Sequence, residues 1–279
     1  MTTHPTDITA VGGLTSPMPA LGFGTAQLTG DDCRGAVELA LETGYRHLDT
    51  AQLYGNESAV GDALASSPVP REDVYLVTKV HPDDAAPEDV HRTTRESLER
   101  LGTGIDLLLL HGPSDEAPLE ETIAAMNDLQ EEGAVDRIGV SNFSVTQLEA
   151  AVAASSTPIV TNQVKYHPYH RQDDLLSYCL ENGIVLTAYS PLAKGSVVGD
   201  ERLEALGDRY GKSAAQVALR WLLQQPGVAA IPKASSREHV EANADVFDFE
   251  LTDEEMRGVF VLGGEEAPPS ALSDRLGLS

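Results

Sequence analysis

Lysine is scarce in this sequence. The 279 residues carry 44 Asp and Glu against 19 Lys and Arg, and the lysines are only Lys79, Lys165, Lys194, Lys212 and Lys233. The resulting formal charge of -25 argues against nucleic acid as a partner, because phosphate backbones demand a basic surface. Cysteine is rarer still. Cys33 and Cys179 lie far apart and form no CxxC, which argues against a disulfide scaffold and a cysteine metal site. No apolar run approaches the ~20 residues needed to span a bilayer, so no membrane is expected. The N-terminal MTTHPTDITAVGG has neither the basic nor the apolar part of a signal peptide, and a reducing cytoplasm is the expected compartment. GxSxG and HExxH are absent. HPYH, His167 to His170, offers two imidazoles without a clear third ligand, so no metal is expected.

What is present is acid, spread through segments such as EETIAAMNDLQEEG and LTDEEMRG rather than gathered in a tail. Such segments read as solvated helix faces. A surface this acidic suits concentrated salt, where a Debye length of ~3 Å at 1 M screens self-repulsion.

Short β-like runs alternate with helical patterns along the whole chain. LGFGTA precedes DDCRGAVELALETG, YRHLDTA precedes NESAVGDALAS, and DVYLVTKV precedes PEDVHRTTRESLERLG. DLLLLHG, RIGVSNF, IVTNQVKY, IVLTAYSPL and VAAIPKA continue the series, each followed by a helical segment. The helical pieces carry apolar residues at i, i+3/i+4 spacing and end at glycine, as in LETG, QEEG and LENG. The strand candidates are near-continuous apolar runs, as expected when both faces are covered. Eight βα units in this length predict one (β/α)8 barrel over residues 1–279, with a short N-terminal segment and a C-terminal tail. A doubly wound sheet is the fallback, but GFGTAQ has Gln27 where a dinucleotide fingerprint needs its third glycine. Trp221, the only tryptophan, sits in QVALRWLLQ and reads as helix packing.

In such a barrel the active site lies at the C-terminal ends of the strands. Asp49, Lys79, His111, Ser141 with Asn142, Gln163, Tyr189 with Ser190, and Lys233 occupy those ends, and Tyr54 joins from the second βα loop. Each has an ordinary reading: Asp49 and Ser141-Asn142 as helix caps, His111 as a satisfied loop histidine, Lys79 as a solvent-facing charge. Together they are chemically coherent. A phenol of pKa ≈ 10 is a poor acid at neutral pH, an adjacent ammonium lowers that value, and a carboxylate holds the ammonium in place. A histidine donor can orient a carbonyl oxygen beside the phenol. That set protonates a developing alkoxide, which is the chemistry of carbonyl reduction.

GYRHLDTAQLYGNE, VTK, LLLLH, IGVSNF, NQVKYHPY, YSPL and IPKASS…EAN resemble the aldo-keto reductases, in family order from about Leu21 to Glu255. The resemblance is to the prokaryotic type that includes 2,5-diketogluconate, xylose and methylglyoxal reductases. It implies a (β/α)8 barrel, NADPH or NADH as hydride donor, and a catalytic tetrad of Asp49, Tyr54, Lys79 and His111 with Tyr54 as proton donor. By the same resemblance Ser141, Asn142 and Gln163 hold the nicotinamide carboxamide and Tyr189 stacks on the ring. Ser190 and Leu192 meet the pyrophosphate, and Lys233, Ser235, Ser236, His239 and Asn243 meet the adenosine end. Ala26, Tyr54, His111 and Gly112 border the substrate, a small-molecule carbonyl compound. A monomer is expected.

The chain departs from the family pattern in three places. His239 stands where an Arg commonly holds the adenosine 2′-phosphate; a mostly neutral imidazole lacks that permanent charge and bidentate fork, so NADH should be usable. Ala26 and Gly112 stand where tryptophans are frequent, and VTKVHPDD lacks one too, which predicts a wide pocket for small aldehydes, dicarbonyls, ketones or keto sugars. Lys165 replaces a frequent Glu. Two alternatives stay open at this level. One is a nucleotide-sensing module of the same fold acting through a protein partner. The other is a barrel lyase or isomerase for phosphorylated substrates, with YSPLAKGSVVGD as a loose candidate anion loop.

Overall fold

The computed structural model describes residues 18–264 and 266–278; MTTHPTDITAVGG, read above for a leader, lies outside the described residues. Among these, eight strands follow one another: β1 (Phe23–Gly24), β2 (His47–Asp49), β3 (Tyr75–Val80), β4 (Leu107–Leu110), β5 (Ile138–Ser141), β6 (Ile159–Lys165), β7 (Val185–Tyr189) and β8 (Val228–Ala230). Each pairs in parallel with the next, so spatial order equals chain order. The sheet then closes on itself. Leu21 bridges Ala230 in parallel, and the N–H groups of Gly22 and Gly24 donate to the carbonyls of Ala230 and Pro232 at 2.8 and 3.0 Å. No edge strand is left, and the fold is a (β/α)8 barrel. The closing seam needs Gly24: a Cβ there would stand 2.8 Å from the Ile231 carbonyl oxygen.

The outer layer comprises α1 (Gly30–Thr43), α2 (Glu57–Ser66), α3 (Pro87–Leu101), α4 (Leu119–Glu131), α5 (Val145–Ala154), α6 (Asp173–Asn182), α7 (Glu201–Asp208), α8 (Ala214–Leu223), α9 (Arg237–Ala244), α10 (Asp253–Phe260) and α11 (Ser270–Arg275). Gly44 and Gly183 end α1 and α6 in the left-handed conformation that LETG and LENG predict. Helix α5 opens with a capping box between Ser144 and Gln147, and α8 with one between Ser213 and Gln216. The expected C-terminal tail carries α11, because Leu272 and Leu278 bury themselves in the main core. Trp221 packs against Tyr166 and Phe260, ring centroids 5.3 and 4.9 Å away, as its helical spacing predicts. No helix among the described residues is long and apolar enough to cross a membrane.

The continuous apolar runs have a simple cause. In β4, Leu107 and Leu109 join Tyr75, Val77, Val185 and Ala229 inside the barrel, while Leu108 and Leu110 join the core under the helices. Both faces of the strand are buried. The period of two then dictates where polarity enters. Along β3 the inward series is Tyr75, Val77 and then Lys79, so the apolar plug gives way to a charge at the C-terminal end. Cys33 and Cys179 are free and buried, and burial pushes their thiols up to about 11 and about 12, which leaves them unreactive at neutral pH.

Candidate active site

Lys79 is wholly enclosed. Its Nζ donates to Asp49 Oδ1 at 2.6 Å and to the Thr50 carbonyl at 2.9 Å. Asp49 is equally buried, and its second oxygen, Oδ2, accepts from Gln163 Nε2 at 2.7 Å. The carboxylate therefore caps no helix, and the ammonium reaches no solvent. Burial alone would lower the Lys79 pKa, but the attraction of Asp49, with Tyr54 next, outweighs it and the net shift is upward. Lys79 is a permanent cation at the floor of the barrel mouth.

Tyr54 ends a one-turn 3-10 segment, Gln52–Tyr54, in the loop after β2. The Lys79 ammonium stands 5.1 Å from the centre of its ring. His111, just past β4, meets the same ring edge-on with centroids 5.7 Å apart and planes at 82°. Burial raises the Tyr54 pKa above 10 and Lys79 pulls it back, the net shift being upward. The sequence predicts a lowered phenol pKa; Lys79 does act in that direction, but burial is the larger cause and the net shift is the opposite one. Burial, with Lys79 second, lowers His111 to about 4, so its imidazole is neutral at ordinary pH. Its Nδ1 is buried and has no hydrogen-bond partner among the described residues, so His111 is not a satisfied loop histidine.

Ser141 ends β5 and Asn142 follows it; neither caps α5, whose cap is Ser144. Ser141 Oγ and the Asn142 N–H both donate to the Gln163 carbonyl, at 2.8 and 2.9 Å. Asn142 sits at φ +62°, a left-handed conformation that Asn tolerates better than most residues. Its Nδ2 donates to the His111 carbonyl at 2.9 Å, and its Oδ1 accepts the Tyr189 hydroxyl at 2.9 Å. The polar ends of β4, β5, β6 and β7 are therefore laced together around one opening.

That opening is a cleft of about 1270 Å³. Ala26, Asp49, Tyr54, His111, Ser141, Asn142, Gln163, Tyr189, Ser190, Leu192, Lys233, His239 and Asn243 all line it. Four predicted residues do not. Lys79 stands behind Asp49, and Gly112 looks towards Pro82, where an added Cβ would lie 3.7 Å from Cγ. Ser236 caps α9 by accepting the His239 N–H at 3.3 Å, and Ser235 is exposed beside it. The cleft also takes in residues that strand-end logic does not reach: Lys194 from the loop after β7, Glu204 and Asp208 of α7, Lys212 and Gln216 around the start of α8, and Glu238 of α9. The scarcity of lysine was a usable signal for some of them. Lys194, Lys212 and Lys233 line the cleft and Lys79 lies behind it, which accounts for four of the five.

The volume exceeds the ~300–1,000 Å³ of a drug-sized pocket and suits a dinucleotide with a small substrate. The donor set agrees with that. Amides and hydroxyls from Ser141, Asn142 and Gln163 gather beside Tyr54 and His111, an aromatic face is offered by Tyr189, and cationic groups line the cleft through Lys194 and Lys233. Among the described residues no group of three or more His, Cys, Asp or Glu is placed to hold a metal ion.

A sequence model described as the aldo/keto reductase family matches residues 20–259. A glyoxal reductase of Bacillus subtilis is 38% identical over 251 residues, 89% of this chain and 90% of that protein. Methylglyoxal reductase DkgB of Escherichia coli O157:H7 is 36% identical over 249 residues, 88% of this chain and 93% of that protein. Among solved structures, an aldo-keto reductase of Bombyx mori in complex with NADP superposes with a TM-score of 0.80 at 36% identity, covering 88% of this chain and 89% of that one.

Proposed function

The chain belongs to the aldo/keto reductase family and is an NAD(P)H-dependent carbonyl reductase; from that premise we propose that Tyr54 delivers the proton, with Asp49, Lys79 and His111 equipping it to do so. The observation that carries this reading is the wholly buried Lys79 ammonium, locked to Asp49 at 2.6 Å and 5.1 Å from the centre of the Tyr54 ring. A phenol whose pKa burial has raised stays protonated through the neutral range, ready to donate. As hydride arrives, the carbonyl oxygen becomes an alkoxide far more basic than a phenolate, and the Tyr54 proton moves to it. The phenolate left behind faces Lys79, whose charge is worth more in this water-poor floor than in solvent. Asp49 holds the ammonium so that the opposing charge needs no reorganisation. His111, neutral above about pH 4, serves as a hydrogen-bond donor to the carbonyl oxygen and not as a rival acid.

A bound nicotinamide nucleotide supplies the hydride. Ser141, Asn142 and Gln163 would hold its carboxamide, with Tyr189 stacking on the ring and Ser190 and Leu192 meeting the pyrophosphate. Lys233, Ser235, Ser236, His239 and Asn243 would hold the adenosine end. Two features favour NADH as a usable donor beside NADPH. His239 lacks the fork of an arginine, and the carboxylates of Glu204, Asp208 and Glu238 share the cleft with it. Lys212 adds little for a phosphate, because Asp245 and Asp248 bind its ammonium at 2.8 and 2.7 Å. The expected ratio of kcat/KM for NADPH over NADH is below about a hundredfold, or ~2.7 kcal/mol. His239→Arg should raise that ratio at least about tenfold. A wild-type preference well above a hundredfold would refute the assignment.

The substrate class follows from the small residues of the mouth. Ala26 lines the cleft and no tryptophan does. Small aldehydes, dicarbonyls, ketones and keto sugars fit, in keeping with the glyoxal and methylglyoxal named for the relatives. We read the protein as a single-barrel monomer of a cytoplasm rich in salt. The decisive experiment is a carbonyl panel run with both nucleotides in dilute and molar salt. Small dicarbonyls should turn over faster than bulky aromatic ketones, and activity confined to one bulky aromatic ketone would overturn the reading. Screening of a net charge of -25 should also raise the Tm between dilute buffer and about 1 M salt. Full stability in dilute buffer would remove the case for salt adaptation.

A further inference from the structure

Two ties join the loop that carries Tyr54 to the strand that carries Lys79. The first leaves the turn at Gln52, whose Oε1 accepts the His81 backbone N–H at 3.0 Å while its Nε2 donates to Ser97 Oγ of α3 at 3.1 Å. The second lies where the loop enters α2. There the buried Glu57 accepts the Thr78 hydroxyl at 2.5 Å and Arg100 Nε at 2.7 Å. Arg100 also donates to Ser97 Oγ at 3.1 Å, so both ties share one anchor on α3. Residues 52 and 57 flank Tyr54, and residues 78 and 81 flank Lys79. None of these four side chains lines the cleft.

We propose that Gln52 and Glu57 are positioning residues that set the separation between the Tyr54 phenol and the Lys79 ammonium. The proposal rests on the reading of Tyr54 as proton donor. The titratable groups facing Tyr54 are Lys79 of β3, Asp49 of β2, His111 after β4 and Tyr189 of β7. None of them belongs to the loop, so a loosened loop shifts the phenol against all four at once. The pull of Lys79 weakens with distance while burial persists, and the phenol becomes a weaker acid. The loop does not unravel when one tie is cut. Asn56 still accepts the Thr50 hydroxyl at 2.6 Å and donates to the Thr25 and Leu28 carbonyls, each at 2.9 Å.

The test uses Gln52→Leu and Thr78→Val, each of which removes one tie without entering the cleft. Carbonyl reduction should slow in kcat by about tenfold or more, since displacements of about 1 Å can cost up to about a hundredfold. The nucleotide KM should stay within about twofold. The alkaline limb of the rate profile should move upward by at least about half a pH unit, which a merely structural role would not produce. Gln52→Glu keeps the acceptor for the His81 N–H and should return kcat at neutral pH to within about threefold of wild type. An unmoved limb with kcat within about twofold in both variants overturns the proposal, even if the Tm falls. A kcat as low in Gln52→Glu as in Gln52→Leu overturns it as well. Tyr54→Phe separates the two failures. If that variant is inactive while both ties prove neutral, only the positioning fails; if it is active, the proton-donor reading fails first.

Discussion

Tyr54→Phe should lower kcat for carbonyl reduction by about 10²–10⁴-fold, the range in which a positioned general acid contributes. The ring itself survives the change, with its edge contact to His111 at 5.7 Å and its place 5.1 Å from the Lys79 ammonium. Only the proton and its oxygen are lost. Nucleotide affinity, followed by fluorescence titration, should therefore stay within about threefold of wild type, since the groups proposed to hold the nucleotide lie on β5 to β8 and α9. A loss carried by nucleotide affinity with kcat intact would show that the hydroxyl binds and does not protonate. The wild-type pH profile supplies a second check. The phenol is pushed above its ordinary value, so activity should be level through neutrality and decline only in the alkaline range. In Tyr54→Phe that decline should vanish from whatever activity remains.

Lys79→Met should be damaging twice over. It removes the counter-charge for the phenolate, and a fall in kcat of about 10²–10³-fold is expected, as for loss of an oxyanion donor. It also strands the Asp49 carboxylate in the barrel floor with Gln163 Nε2 as its one remaining side-chain donor. Breaking a buried pair from one side typically costs ~3–5 kcal/mol. In a chain of this size each kcal/mol lowers Tm by roughly 2–4 °C, so a fall on the order of 10 °C is expected. The two effects can be separated. Adding Asp49→Asn to Lys79→Met removes the stranded charge and should recover most of the lost Tm, while kcat stays low. Recovery of activity along with stability would mean that Lys79 serves only to balance Asp49.

Much of this site could be read from local patterns. Asp49 closes β2, Lys79 is the last residue but one of β3 and His111 directly follows the all-leucine β4, so each stands out as a polar residue at the C-terminal end of a strand. His239 and the small residues Ala26 and Gly112 were visible as departures from a family pattern. Other features had no local signature. Glu204 and Asp208 sit on an ordinary amphipathic helix, and only the curvature of the barrel brings them to the cleft. Gln52 and Thr78 look like filler beside the motif residues they flank. Gly112, two residues beyond β4, is not among the residues lining the cleft, and a Cβ built there would stand 3.7 Å from Pro82 Cγ.

The chain's own order of residues determined the barrel, its eight βα units and the identity of the residues at its rim. Those follow from periods of 2 and 3.6 along the backbone, which depend only on near neighbours. The packed structure alone decided the electrostatics. Gln163 reaches Asp49 across 114 residues of sequence, Thr78 reaches Glu57 across 21 and Gln52 reaches Ser97 across 45. The opposition of burial and the lysine at the phenol likewise exists only in the packed chain. Hydrogen bonds and Coulomb forces act through space in a medium whose polarity is set by burial, and neither distance nor burial exists until the barrel closes.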